Sequence, residues 1–280
     1  MKKNLKSTLA LLTGIILIPI NSWCQSTTDC ENYLQSLPKQ LKLVEKIPQR
    51  YLMTDEYFNK DIYGNLHSKI KVTGEYTRGL DDGYVRWTNV WIAKSEGQSE
   101  LYQDGVKQDY MENFSYVPSK DVLNESFFET FEKNIDVVFA RNLIWDMLAI
   151  ETFAWNYFES LQLNKTFIVP DINGSINMAE MGTYDQNNIE MNWLGISMMN
   201  NKLCAIIEYR AMDNKVDFHF DNMKSKGSNI QFGKIWVSLD NKQIEYAEIY
   251  SNTVQEIEIQ GLPDKMLSCT KRFVTLKKIK

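Results

Sequence analysis

Histidine and cysteine are scarce in this chain, and the motifs that usually carry catalysis or metal binding are missing. Its 280 residues include two histidines and four cysteines. No two cysteines have zinc-finger spacing, and the sequence contains no G-x-S-x-G elbow, H-E-x-x-H motif or phosphate-binding glycine loop. With two histidines, a serine or cysteine triad has few ways to form. The sequence therefore predicts no catalytic residues, no metal site and no cofactor.

Basic runs longer than the final KKIK are also missing, and acidic residues are in excess. The chain has 31 lysines and arginines against 36 aspartates and glutamates, which gives a formal net charge of −5. Nucleic-acid binding depends on lysine and arginine side chains that neutralise phosphate, so we expect no nucleic-acid partner. The apolar fraction of 44% is typical of a folded globular chain rather than a disordered one.

The first 24 residues have the layout of a secretory signal peptide. Three lysines precede an apolar stretch from Leu9 to Ile20, and small residues follow it. The stretch is too short to span a bilayer. We therefore expect a periplasmic or secreted protein that has a mature chain of residues 25–280 and no transmembrane span after cleavage. Lipid attachment at Cys24 is the alternative, although residues 21–23 match a bacterial lipoprotein box poorly.

Three cysteines remain in the mature chain, an odd number that leaves at least one of them unpaired. Cys204 lies in the apolar run LCAIIEYR and is expected to be a small core residue. Cys30 and Cys269 lie near the two ends of the chain. A disulfide between them would tether both termini, and we predict it as the possible bridge.

The alternation of apolar and polar residues predicts strands over most of the chain. The expected strands are 66–78, 84–93, 165–169, 175–184, 189–199, 203–210, 215–220, 229–239, 243–250, 253–260 and 272–279. Short turns separate them, so neighbours should be antiparallel. Helices are predicted only at 30–47 and in an insertion near 120–163. We therefore expect a single α+β domain in which helices pack on one face of a large, curved, half-barrel-like antiparallel sheet.

The segment FARNLIWDMLAIETFAWNYFESL, residues 139–161, combines many apolar residues with regularly spaced charges, which exclude a membrane span. On a helical wheel its apolar face covers nearly half the circumference, more than an ordinary surface helix shows. It is either a core helix or a lid over an apolar cavity. Glu151 falls inside the apolar arc, so we expect it to be buried against an arginine or lysine, a tyrosine hydroxyl or a ligand head group.

Tryptophans and the aromatic residues of this helix are the candidate ligand-binding residues, because aromatic side chains line many apolar and sugar sites. The candidates are Trp145, Glu151, Phe153, Trp155, Phe158, Trp193 and Trp236. Core packing is the alternative for all of them. Trp145 and Phe153 project from the polar side of the wheel, so another part of the protein or a partner should cover them.

The sequence DFHFD places Asp217, His219 and Asp221 on one face of a strand. Carboxylate and imidazole groups can bind a divalent cation. A half-buried strand gives the same alternation without any metal, and we therefore expect a solvated face.

The chain runs from an early helix through strands and a helical insertion into a long meander of strands. Two stretches are typical of this pattern, LQLNKTFIVPDI and GKIWVSLDNKQIEYAEIY. The second reads as a strand, a turn and a return strand. The order of elements resembles the lipoprotein-carrier fold of the LolA and LppX type. In that fold an open half-barrel of strands is covered by helices and holds acyl chains. The resemblance implies an exported, non-enzymatic protein that holds a lipid or other apolar ligand between the sheet and the 139–161 helix.

Two other functions remain open. A secreted glycan-active hydrolase or carbohydrate-binding module would place acidic residues and tryptophans on an open face of the sheet, since glycoside hydrolysis needs only a pair of carboxyl groups. A structural domain would have a filled core and no small ligand.

Overall fold

The computed structural model describes residues 28, 31, 32, 48–97, 99, 101–131, 136–170, 174–179, 181–220 and 222–280. In this part of the chain all strands join one open, curved antiparallel sheet of thirteen strands. The strands are β1 Gln49–Asp61, β2 Leu66–Arg78, β3 Val85–Glu96, β4 Val106–Lys107, β5 Phe114–Tyr116, β6 Thr166–Ile168, β7 Gly174–Asn177, β8 Gly182–Gln186, β9 Glu190–Met199, β10 Lys202–Phe220, β11 Met223–Ser238, β12 Ile244–Ile259 and β13 Met266–Ile279. The predicted fold class, α+β with a half-barrel-like sheet, is confirmed.

The strand order is β4-β3-β2-β1-β13-β12-β11-β10-β8-β7. Because β1 pairs with both β2 and β13, the first and last described strands meet in the middle of the sheet. The far edge of β10 is divided between two partners, β9 along residues 202–210 and β8 along residues 215–218. One long strand therefore carries both smaller groups of strands at this end of the sheet.

Several strand predictions need correction. No strand was predicted over β1, whose alternation is interrupted because Asp55 lies on the buried face among Met53 and Tyr57. The turn expected between the predicted strands 203–210 and 215–220 is a bulge within the continuous strand β10, between Ala211 and Asn214. The predicted strands 243–250 and 253–260 are the single strand β12, and the predicted strand 175–184 is the hairpin of β7 and β8.

The α-helical part of the predicted long helix is shorter than expected, and the segment continues in other helical geometries. Helix α1 is Val137–Glu151, a π-helical turn Thr152–Asn156 continues it, and a 3-10 turn Phe158–Ser160 ends the segment. Before α1 the chain forms 3-10 turns at Lys120–Leu123 and Glu125–Phe128. The predicted helix over 30–47 lies almost wholly outside the described residues. Among the residues that are described, no helix is long and apolar enough to cross a membrane.

Helix α1 packs on one face of the sheet, which we call the inner face; the opposite face is the outer face. Leu143, Met147, Ile150 and Ala154 are at most 1% exposed and belong to one cluster with the inner-face side chains of the sheet. Phe158 is half-buried and packs against the same cluster. The apolar face that the helical wheel predicts for residues 139–161 is therefore the face that contacts the sheet.

Candidate ligand-binding site

Glu151, the last residue of α1, is buried and bound to two residues of β2. Its Oε1 accepts a hydrogen bond of 2.8 Å from the Tyr76 hydroxyl and an ion-paired hydrogen bond from Arg78. Burial raises the pKa of Tyr76 well above its ordinary value, so this hydroxyl keeps the proton that it donates. A carboxylate in the last turn of a helix is opposed by the helix dipole, and the arginine compensates for it. The expected burial of Glu151 against a charged or hydroxyl partner is confirmed.

Asp146 attaches the middle of α1 to the centre of the sheet. Arg272 of β13 donates a 3.1 Å hydrogen bond to Asp146 Oδ1, and its Nε lies 2.9 and 2.8 Å from the two carboxylate oxygens of Asp55 on β1. The guanidinium also lies over the ring of Tyr57, 5.0 Å from its centroid. Two buried carboxylates therefore share one arginine, and this group holds helix, first strand and last strand together.

Burial raises the pKa of Asp146 to about 7; the charge of Arg272 opposes this shift and the Asp55 carboxylate adds to it. Because an unfolded aspartate has a pKa of about 3.9, the folded protein binds this proton more tightly than the unfolded chain. The stability contributed by Asp146 is then fully present below about pH 4 and is lost as the pH rises toward 7.

We therefore expect the free energy of unfolding of the wild type to fall relative to that of Asp146→Asn between about pH 4 and pH 7, by at most about 4 kcal/mol. Urea unfolding of both proteins across this range measures the difference. Asp81→Asn, which removes an exposed turn carboxylate, should show no such trend. Parallel curves for wild type and Asp146→Asn would mean that Asp146 keeps its ordinary pKa.

The two aromatic residues that were expected to need a cover are covered by the protein itself. Trp145 donates its indole N–H to the Val122 carbonyl at 2.8 Å and meets the Phe128 ring edge-on. Phe153 stacks on Tyr209 with 4.5 Å between ring centroids. Both therefore serve as packing contacts in this conformation.

The other aromatic candidates divide between two places. Trp155 donates to the Lys242 carbonyl at 2.8 Å and carries the Arg78 guanidinium over its ring. Phe158 and Trp193 meet in a smaller apolar cluster at the same end of the helical segment. Trp236, in contrast, lies on the outer face, edge-on to Tyr246 at 5.1 Å. The structure thus collects Trp155, Phe158 and Trp193 near the end of α1 and leaves Trp236 apart. Whether these residues bind a ligand stays a prediction.

The contact between α1 and the sheet is closed in this conformation. Leu143, Ile144 and Ile150 are each 0% exposed, so no water-sized void touches them. Packing of this density leaves no room for a ligand beside these side chains. A ligand between sheet and helix therefore requires α1 to move.

A row of aromatic rings on the outer face was missed by the sequence reasoning. Phe232, Tyr250 and Phe273 come from β11, β12 and β13 and stack on one another, with centroid distances of 5.3 and 4.7 Å. Phe232 is 40% exposed and Tyr250 38%. Each lies in a predicted strand, but only the register of the sheet places the three side by side.

The cysteines and the DFHFD segment are the remaining groups for which the sequence made a prediction. Cys204 is buried, as expected. The Cys269 thiol donates to Asn252 Oδ1 at 3.1 Å, while Cys30 lies outside the described residues, so the bridge stays a prediction. Asp217 and His219 are exposed, which confirms the solvated face, and Asp221 is not among the described residues. No group of three metal-ligating side chains occurs in the described ranges.

No family model matches the sequence, and no curated protein matches it. Among solved structures the chain is similar to part of lipovitellin, in a structure concerned with lipid–protein interactions. The two share 11% identity at a TM-score of 0.45, and the match covers 83% of this chain and 25% of that one. The chain thus spans a quarter of the length of the protein that it matches.

Proposed function

We propose that this chain is a non-enzymatic binding protein that holds a lipid or another apolar ligand between its curved sheet and α1. The supporting observation is that α1 lies over an aliphatic surface but is fixed to the sheet through the buried ion pairs of Asp146 and Glu151. Buried ion pairs add little net stability, because desolvation offsets their attraction. Contacts of this kind suit a cover that occupies one position and can still be released.

The inner face of the sheet beneath α1 and its continuation is apolar over several strands. Its side chains, each 0% exposed, are Met53, Val72, Ile235, Ala247, Ile249, Val274 and Leu276. If α1 is displaced, an acyl chain can replace the helix side chains on this surface. The driving force would be burial of apolar area, worth roughly 25 cal/mol per Å².

The segment after α1 provides a place where such a movement can occur. Thr152–Asn156 is a π-helical turn, and Tyr157 then leaves helical geometry with φ −111° and ψ 2°. π-helical turns are rare and are frequent at functional sites. In this proposal α1 moves about the turn when the contacts of Asp146 and Glu151 are released.

We also propose that the chain is exported and that its function resembles that of the LolA and LppX carriers, which hold acyl chains under helices. Export is supported by the lysine-rich start and the apolar stretch Leu9 to Ile20. N-terminal sequencing of the exported protein should give a mature chain that begins at Gln25. Lipid at Cys24 or retention of Met1 would contradict this.

The ligand site is tested by lipid content and lipid uptake. Native mass spectrometry of protein purified without detergent should reveal bound lipid, and a fluorescent fatty acid should be taken up slowly by the wild type. Glu151→Gln weakens the contact with Arg78, so uptake should be several-fold faster. Glu159→Gln is the matched control, because that carboxylate is 79% exposed and pairs with Lys242 of the turn between β11 and β12.

A clean apo mass together with no uptake by wild type or Glu151→Gln would overturn the proposal and favour a structural domain. Binding on a glycan array, or glycosidase turnover, would instead favour the carbohydrate alternatives. Equal acceleration by Glu151→Gln and Glu159→Gln would show that α1 is not the cover.

A further inference from the structure

We propose a second ligand site, on the outer face of the sheet, that takes an amphiphile with a cationic head group and an apolar tail. It lies on the face opposite α1 and does not depend on the lipid site proposed above. It consists of the aromatic row Phe232, Tyr250 and Phe273 together with a groove that begins at Phe232.

The aromatic row fits an alkyl tail better than a sugar. Neighbouring rings are nearly parallel, with interplanar angles of 16° between Phe232 and Tyr250 and 29° between Tyr250 and Phe273. The ring faces between neighbours therefore cover one another. Sugars stack on exposed aromatic faces, whereas an alkyl chain needs only apolar area. The row crosses three strands and so presents a strip roughly 10 Å long.

The groove has a volume of about 450 Å³ and lies at the β10 end of the row. Met212 and Phe232 supply its apolar part, and Glu190, Glu208, Asp213 and Arg210 its charges. Arg210 Nη2 lies 2.8 Å from Glu208 Oε2, so the only cation among these four is already paired. Arg210 also lies directly across from Glu190 in the register of β9 and β10, so the lining holds three carboxylates and one cation and has an excess of two negative charges.

The charges nearest to the groove do not cancel this excess. Lys234 of β11 lies directly across from Glu208. Glu248 of β12 lies across from Lys234, so Lys234 and Glu248 together add no net charge. The Glu208 side chain is 12% exposed, and its charge acts in a less polar medium than bulk water. An excess of carboxylates suits an amine or quaternary ammonium group. Charge and shape therefore select a cationic head at the groove with its tail along the row.

The test is calorimetric titration of the full chain with three twelve-carbon surfactants below their critical micelle concentrations. Dodecyltrimethylammonium should bind about tenfold more tightly than dodecyl sulfate or dodecyl maltoside, and added salt should weaken its binding. Equal affinity for all three, or no binding, would overturn the proposal. Circular dichroism confirms that the protein stays folded in each titration.

Variants separate the two parts of the site. The double variant Glu190→Gln, Asp213→Asn should abolish the preference for the cationic surfactant. Its control is Asp81→Asn, Asp82→Asn, which removes two exposed turn carboxylates elsewhere and should keep that preference. Tyr250→Ala should weaken binding of all the surfactants about tenfold, and Trp91→Ala, an exposed aromatic outside the row, should have no effect. The opposite result in either pair would contradict the assignment.

The inner site is distinguished in the same experiment. Glu151→Gln should leave binding of dodecyltrimethylammonium unchanged, and the groove variants should leave fatty-acid uptake unchanged. Loss of surfactant binding in Glu151→Gln would place the surfactant under α1 and overturn the outer site.

Discussion

Replacing Arg272 with methionine should lower the free energy of unfolding by about 3–5 kcal/mol. Arg272 is the shared partner of Asp55, which is 0% exposed, and of Asp146, which is 5% exposed. Without the guanidinium, two carboxylates remain close together in an apolar interior. Urea unfolding at neutral pH measures the loss. Arg86→Met, which removes an exposed arginine of β3, should change the free energy by less than about 0.5 kcal/mol.

A compensated variant tests the cause of this loss. Removing one member of a buried charged group leaves the others unpaired, whereas neutralising the whole group restores much of the stability. Arg272→Met combined with Asp55→Asn and Asp146→Asn should therefore be more stable than Arg272→Met alone. If the triple variant is less stable, packing of the arginine rather than its charge holds α1 on the sheet.

Leu143→Ala should lower the free energy of unfolding by about 2–5 kcal/mol, the usual range for a large-to-small change in a core. The side chain is 0% exposed and lies over Gly74 of β2, where a Cβ atom would come within 3.3 Å of Leu143 Cδ1. The missing side chain of Gly74 thus makes room for the leucine. Urea unfolding measures the effect, and Leu194→Ala, at a site 39% exposed, should cost less than about 1 kcal/mol.

The same variant bears on the proposed cover. A smaller loss of stability accompanied by altered lipid uptake would mean that α1 closes over a void in solution. Wild-type stability together with unchanged lipid uptake would contradict both a core helix and a cover, because neither tolerates the loss of this contact.

The candidate site could be predicted only in part. The 100° spacing of helical residues was enough to place Glu151 inside the apolar face of α1 and to require a partner for it. The partners, Tyr76 and Arg78, lie some seventy residues earlier in the chain, with sequence separations of 75 and 73. Nothing local identifies them, because the position of α1 along β2 follows from the packing of the whole inner face.

Strand β1 was missed for a related reason. Its buried residues alternate regularly, but one of them is Asp55, which a search for apolar alternation counts as exposed. The aspartate is buried because Arg272, 217 residues away, meets it from the neighbouring strand. A charged residue on a buried face cannot be recognised from the sequence pattern when its partner is distant along the chain.

By itself the sequence determined most of the strands, the position of the long helix and which side of each is apolar, because side-chain periodicity is a property of neighbouring residues. Only the tertiary structure decided the register. That register places Phe232, Tyr250 and Phe273 in one row and brings Asp55 to Arg272. A shift of one residue would send every side chain of a strand to the opposite face. The choice among registers depends on the packing of all thirteen strands with α1, and no single stretch of sequence contains that information.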